Sequence, residues 1–278
     1  MTQYARKASS AKRRLRRRVA RWAGSEVEDE LRATKRKLRQ TRSRLRDVRA
    51  ELAALSYALP VHVEEVIARA REEHLTYLKE NNLRELASIV LDLETSRLPG
   101  LVIEAGTARG GSAIVMAAAK APERPMKVYD VFGMIPPPTE QDGPDVHARY
   151  EKIAGGQANG VGGDTYYGYR DDLLEEVTDS FRRLGVAVAD HSVQLVKGLF
   201  EDTIELDEPV AFAHLDGDWY ESTMICLTRI APLVVPGGRI VLDDYYTWSG
   251  CRTAVDEYFA GRDEFRLEHR AKLHVIRL

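Results

Sequence analysis

The chain has 278 residues, 30% of them charged, with a formal net charge of −2. That length holds one α/β domain plus an appendage. Two cysteines, Cys226 and Cys251, exclude a disulfide-framed module and suit a reducing cytoplasm. No apolar run reaches the roughly 18 residues of a membrane-spanning helix, and the basic N-terminus lacks the apolar core of a signal peptide.

The charge is unevenly placed. Residues 1–60 hold 18 Lys and Arg against 6 Asp and Glu, while the remainder holds 23 against 37. A basic arm therefore precedes an acidic body, which predicts that the arm has a partner of its own. Residues 1–24 read as a basic tail. Within it, residues 12–22 carry seven basic side chains, with Leu15, Val19 and Trp22 at helical spacing on one face. This pattern predicts peripheral contact with an anionic membrane surface. Nucleic acid is not expected, because no aromatic platform or binding module accompanies the charge.

Residues 25–60 read as a coiled-coil helix. Leu31, Leu38, Leu45, Leu52 and Leu59 recur every seven residues, offset by Val27, Thr34, Thr41, Val48 and Leu55. Ser25 and Glu28 form a capping box, and Pro60 marks the end. Lys35, Arg42 and Arg49 flank the seam on one side and Lys37 and Arg44 on the other. In a parallel homodimer these flanks would repel. The open alternatives are an acidic partner helix, an antiparallel pair or a larger homo-oligomeric bundle.

From Val61 to Leu98 the apolar spacing predicts helix, stopped by Pro99-Gly100. Residues 61–278 then alternate strands with helices. The strands are "LVIEAG", "KVYDVF", "VQLVKG", "VAFAHLD", "RIVLDD", "EFRLEH" and "AKLHVIRL", and helices begin at Gly110, Asp171, Tyr220 and about Thr253. The expectation is a doubly wound, mostly parallel sheet closed by an antiparallel edge hairpin. The turn Pro236-Gly237-Gly238 precedes the fifth strand. Residues 136–168, Gly-rich and carrying His147, Tyr150, Tyr166 and Tyr167, read as a long lid without secondary structure.

Ligands of such sheets lie at the carboxyl ends of the strands. After the first strand comes Glu104, Gly106, Thr107, Gly110, Gly111 and Ser112, a glycine loop opening a helix. Its spacing is not the dinucleotide fingerprint. A carboxylate beside the loop would repel a pyrophosphate but suits a cationic ligand such as S-adenosylmethionine. Asp130, ending the second strand, is placed to hold a ribose diol. Asp216 ends the fourth strand, and Asp243 and Asp244 end the fifth. Three carboxylates meeting at one rim call for a hard cation, and magnesium fits all-oxygen ligation. The pair Asp216–Asp218 alone would equally suit a metal-dependent glycosyltransferase gripping a diphosphate. The glycine loop and the second aspartate pair speak against that, and the intact trio of aspartates speaks against a coiled-coil adaptor with a silent domain.

The segments "EAGTARGGSA", "YDVFGM", "LDGDWYEST", "PGGRIVLDDY" and "GCRTAVDEYF" resemble the macrocin-type sugar O-methyltransferases over about Leu101 to Phe259. The resemblance implies a Rossmann-like class I methyltransferase fold, with S-adenosylmethionine contacted by Glu104, Gly106 and Asp130. It implies magnesium held by Asp216, Asp243 and Asp244, and an acceptor hydroxyl on a sugar or glycosylated natural product. The aspartate trio is also similar to that of catechol-type methyltransferases, but the lysine those carry three residues after the first aspartate is here Trp219. The expected bases are Asp216 and His147. Trp219, Tyr220, Tyr245 and Tyr246 are expected to face the sugar, and His214 to be a core residue.

Overall fold

The computed structural model describes residues 30–46, 48 and 58–278, and the chain falls into two units, Met1–Val48 and Arg49–Leu278. In the first unit, residues 30–46 are helical (α1). Leu31, Leu38 and Leu45 of the heptad seam are 50, 48 and 50% exposed, so the apolar stripe faces solvent in the isolated chain. The membrane-contact segment 12–22, the capping box and Leu52 and Leu55 lie outside the described residues. Leu59, read from its spacing as the last seam leucine, is not on a helix. It is 8% exposed and packs in the core of the second unit.

The second unit begins with α2 (Val61–Glu72) and α3 (Glu80–Ser96). The single helical stretch expected over 61–98 is broken between them. His74 takes a left-handed φ of 54°, and the Leu75 amide turns back to donate to the Ala70 carbonyl. No Gly or Pro announces the break.

The seven strands are β1 (Leu101–Ala105), β2 (Met126–Asp130), β3 (Val193–Lys197), β4 (Val210–Leu215), β5 (Val234–Leu242), β6 (Phe265–His269) and β7 (Leu273–Arg277). They form one sheet in the order β3-β2-β1-β4-β5-β7-β6. Strands β1 to β5 pair in parallel. Strand β7 is antiparallel to both β5 and β6, so the antiparallel member of the closing hairpin is the inner one. The Pro236–Gly238 turn sits inside β5, where the register against β4 jumps from Val210↔Val234 to Phe212↔Arg239.

The remaining helices are α4 (Gly111–Ala119), α5 (Pro144–Ala154), α6 (Leu173–Arg183), α7 (Phe200–Thr203), α8 (Tyr220–Ile230) and α9 (Ser249–Phe259). Alternate strand residues feed two cores. Val102, Val128, Phe212 and Val241 pack with α2, α3, α4 and α6. Ile103, Ala213, Ile240 and Leu242 pack with α8 and α9. Removing a side chain such as Ile103 from water contributes about 1.5–3 kcal/mol, which is why these strands read as apolar runs rather than alternations.

The lid expected to lack secondary structure contains α5, two short 3-10 turns and a β-bridge between Asn159 and Thr165. Pro144 occupies the first turn of α5, where its missing N–H is harmless. Val146 and Ile153 bury with Ile135, Ala158, Tyr166 and Trp219 in a third small core. Among the described residues no helix is long and apolar enough to cross a membrane.

Candidate functional site

Backbone hydrogen bonds carry the ladder past the ends of the central strands. Gly106 N donates to Tyr129 O at 2.8 Å, Asp216 N to Ala105 O at 2.8 Å and Asp243 N to Leu215 O at 2.9 Å. The carboxyl ends of β2, β1, β4 and β5 are thereby held edge to edge. Gly106 is required here for a packing reason. Its φ is 86°, and a Cβ would lie 2.0 Å from the Asp216 carbonyl oxygen. Gly111 serves the next contact: its N–H donates to Leu75 O at 3.0 Å, and a Cβ would meet that oxygen at 2.6 Å.

Above these ends lies a cavity of about 640 Å³, the size of a small-molecule site. Gly106 and Asp130 line it together with Asp216, Asp218, Asp243 and Asp244. Trp219, Trp248, Tyr77, Tyr166, Tyr167, Arg149 and Pro136 to Pro138 complete the wall. The lid segment thus contributes much of the enclosure.

The aspartates divide into two groups. Carboxylate oxygens of Asp216, Asp218 and Asp244 lie within 4.8 Å of one another. Asp218 reaches this group because its left-handed φ of 57° turns the chain back, letting its N–H donate to Asp244 Oδ2 at 3.1 Å. Trp248 Nε1 donates to Asp218 Oδ1 at 2.9 Å. Burial raises all three carboxyl groups, and like charge adds to it. Asp216 is pushed well up by burial and then by Asp244 and Asp243. Asp218 rises to about 8 through burial and Asp216, against the Trp248 donor. Asp244 rises to about 8 through burial and then Asp218 and Asp243.

Asp243 is set differently. Lys272 Nζ donates to its Oδ2 at 2.6 Å, and His214 Nε2 lies 3.6 Å from its Oδ1. Burial alone would raise its pKa, but Lys272 and His214 hold it below the usual carboxylate range. His214 also bonds Glu104 Oε1 through Nδ1 at 3.0 Å. Burial opposes its charge, yet Asp243 and Glu104 lift the imidazole to about 10. The histidine is buried as expected, and it sits between two carboxylates.

The glycine loop is braced by carboxylates. Glu104 is fully buried, does not line the cavity, and accepts the Thr107 hydroxyl at 2.8 Å. Asp130 accepts the amides of Thr107 at 2.7 Å, Ala108 at 3.0 Å and Phe132 at 2.7 Å. A ribose diol at Asp130 would share oxygens that already fold the loop. Thr107, Gly110, Gly111 and Ser112 shape this turn without lining the cavity. Among the expected acceptor contacts, Trp219 does line it, with its Nε1 donating to Pro136 O at 3.0 Å. Tyr220, Tyr245 and His147 do not. Tyr220 donates to Glu257, Tyr245 donates to Asp256, and His147 is exposed on α5. These three follow or flank the motif in sequence, but their backbones direct them away from the cavity. Sequence reading left Trp248, Arg149 and Tyr77 without a role, and weighed Asp218 only in the glycosyltransferase alternative. The only local signal was for Asp218, the second carboxylate of its pair.

The sequence pattern of the macrocin-O-methyltransferase (TylF) family matches residues 71–268. The demethyldecarbamoylnovobiocin O-methyltransferase of Streptomyces niveus is 33% identical over 187 residues, 65% of this chain and 66% of that protein. The mycinamicin III 3''-O-methyltransferase of Micromonospora griseorubida is 31% identical over 192 residues, 64% of this chain and 66% of that protein. The chain thus matches a little under two thirds of the length of these relatives. The solved structure of the O-methyltransferase NovP superposes with a TM-score of 0.60 at 27% identity, covering 73% of this chain and 81% of that one. The calicheamicin methyltransferase CalS11 shares the fold, with a TM-score of 0.54 at 17% identity, covering 86% of this chain and 91% of that one.

Proposed function

This chain belongs to the macrocin-O-methyltransferase family, and on that premise we propose that it moves a methyl group from S-adenosylmethionine to a hydroxyl of a sugar or glycosylated natural product. The observation that carries the reading is one cavity lined both by the Gly106–Asp130 turn and by the Asp216–Asp218–Asp244 cluster, which meet where Gly106 packs on the Asp216 backbone. The relatives named as O-methyltransferases support methyl transfer to oxygen, and one named for 4'-O-methylation of a rhamnosyl-tetracenomycin supports a sugar hydroxyl.

The crowding of three raised carboxyl groups with all-oxygen donors fits a hard divalent cation such as magnesium. Asp216, Asp218 and Asp244 would hold it, with Asp243 beside them on Lys272. When bound, such an ion supplies Lewis-acid polarisation of an acceptor oxygen. The protein does the rest. The aromatic wall of Trp219, Trp248 and Tyr166 seats an apolar sugar face and excludes water. The glycine turn fixes the donor so that the acceptor oxygen meets the methyl carbon opposite sulfur. The O–C bond forms as the C–S bond breaks, and sulfur keeps the electron pair. The hydroxyl proton passes to a carboxylate of the cluster. Asp218, held through Oδ1 by Trp248, offers its other oxygen for this.

The exposed leucine stripe of α1 suits a second helix, and the arm would then tether the catalytic unit. Removing residues 1–48 tests this: an unchanged assembly state would leave the arm without that role.

Transfer of labelled methyl from S-adenosylmethionine to a panel of rhamnosylated and other glycosylated natural products tests the main reading. Label appearing in a sugar, and dependent on a divalent cation, supports it. Binding of a sugar nucleotide with magnesium but no binding of S-adenosylmethionine would overturn it.

A further inference from the structure

A buried series of polar groups, open at one 3.6 Å gap, runs from the glycine turn to the strand end that carries the aspartates. Thr107 donates to Glu104 Oε2 at 2.8 Å, and Glu104 Oε1 meets His214 Nδ1 at 3.0 Å. His214 Nε2 faces Asp243 Oδ1 at 3.6 Å, and Lys272 closes the series on Asp243 Oδ2 at 2.6 Å. His214 is 1% exposed and Glu104 is fully buried. His214 Nε2 and Asp243 Oδ1 are both buried with no hydrogen-bond partner among the described residues, and they face each other. Buried polar atoms are seldom left so, and a small approach would satisfy both.

The two ring nitrogens serve different halves of the site. Glu104 acts on the loop through Thr107, whose amide in turn donates to Asp130 at the cavity wall. Asp243 is the covalent neighbour of Asp244 and anchors the end of β5 beside the cluster.

Building on the donor and metal reading above, we infer that His214 is a two-handed positioning residue: Nδ1 fixes the donor-binding turn, and Nε2 fixes the strand end that carries the metal cluster. It touches neither substrate nor ion. Groups in this position orient the residues that do, and their loss commonly weakens metal sites by about 10–100-fold.

The test exploits side-chain geometry. The amide nitrogen of asparagine falls near a histidine Nδ1, and that of glutamine near Nε2. His214→Asn and His214→Gln are also matched in charge, so their difference reports position. Calorimetry would measure S-adenosylhomocysteine and magnesium binding to the intact chain. The inference expects a crossover. His214→Asn keeps the nucleoside affinity to within about threefold but loses about tenfold for magnesium, the worth of one buried hydrogen bond. His214→Gln does the reverse. Equal losses in both variants, or no loss in either, would overturn it. Wild-type chain that binds neither ligand would instead strike the functional reading itself. If the variants do not fold, Glu104→Gln on the intact His214 chain decides. Weakened S-adenosylhomocysteine binding with unchanged magnesium binding supports the inference, and unchanged binding of both overturns it.

Discussion

Two charged clusters lie side by side around the end of β5 and the start of β7 and differ in how their charge is answered. In one, Glu85 of α3, 8% exposed, lies 3.4 Å from Arg270 and 3.4 Å from His274, while Glu268 pairs with Arg270 at 2.7 Å. Arg239 donates to His274 Nδ1 at 3.1 Å. Both acids there have Arg270. In the other, Asp216, Asp218 and Asp244 crowd together, and among the described residues only the neighbouring Asp243 is in an ion pair. The first arrangement is what a fold does with charge it must bury. The second crowds carboxyl groups with no base among them, and it is the one that opens onto the cavity, as the proposed magnesium site requires.

The comparison breaks first at Asp216. Asp216→Asn should lower methyl transfer by about 10²–10³-fold, the usual loss on removing one electrostatic stabiliser of a reaction. Calorimetric S-adenosylhomocysteine affinity should stay near that of the parent. A stability measurement sharpens the contrast, because the two clusters should respond with opposite sign. In chelator at pH 8.5, Asp244→Asn should stabilise the protein by at least about 1 kcal/mol, since it removes a like charge. Glu85→Gln should destabilise it by about 1–3 kcal/mol, leaving the Arg270 guanidinium under-paired. Urea melts of the two variants read both signs.

The pH dependence follows from the same shifts. Asp218 and Asp244 have folded pKa values raised to about 8, above their unfolded values. Their contribution is present at low pH and lost as pH rises through about 8. The metal-free protein should therefore soften from about pH 4, near the unfolded value of 3.8, up to about pH 8, and magnesium should flatten that slope. Glu85 has the opposite sign. Burial alone would raise it, but His274 and Arg270 hold it below the usual range. Its contribution is present above its unfolded pKa of 4.5 and lost as pH falls through its lower folded value. The smallest expected effect lies in the lid. Tyr169 donates to Ile153 O at 2.5 Å and accepts from Ala158 N at 3.2 Å. Tyr169→Phe should cost about 1 kcal/mol and raise acceptor KM without changing S-adenosylhomocysteine affinity.

The sheet was legible because each central strand buries both faces and so reads as an apolar run with turns at its ends. The rim was legible as carboxylates at strand ends. What the sequence could not show was direction. Asp243 and Asp244 are adjacent, yet one pairs with Lys272, just before β7, and the other joins the carboxylate cluster, and the pairing of β7 against β5 brings Lys272 there. Asp218 joins the cluster only through a left-handed turn at a residue that is not glycine. The lid helix was hidden because glycines surround it, although Pro144 and the buried Val146 and Ile153 define it. Leu59 kept the heptad spacing after the helical conformation had ended, so its period pointed to the arm while its packing belongs to the body.

The most direct test of the account is a calorimetric titration of magnesium into the chelator-treated chain saturated with S-adenosylhomocysteine, repeated on Asp216→Asn and Glu85→Gln. The account predicts one magnesium site in the parent and in Glu85→Gln, and none or a much weaker one in Asp216→Asn. Magnesium binding of equal strength in all three, or in none, would contradict it.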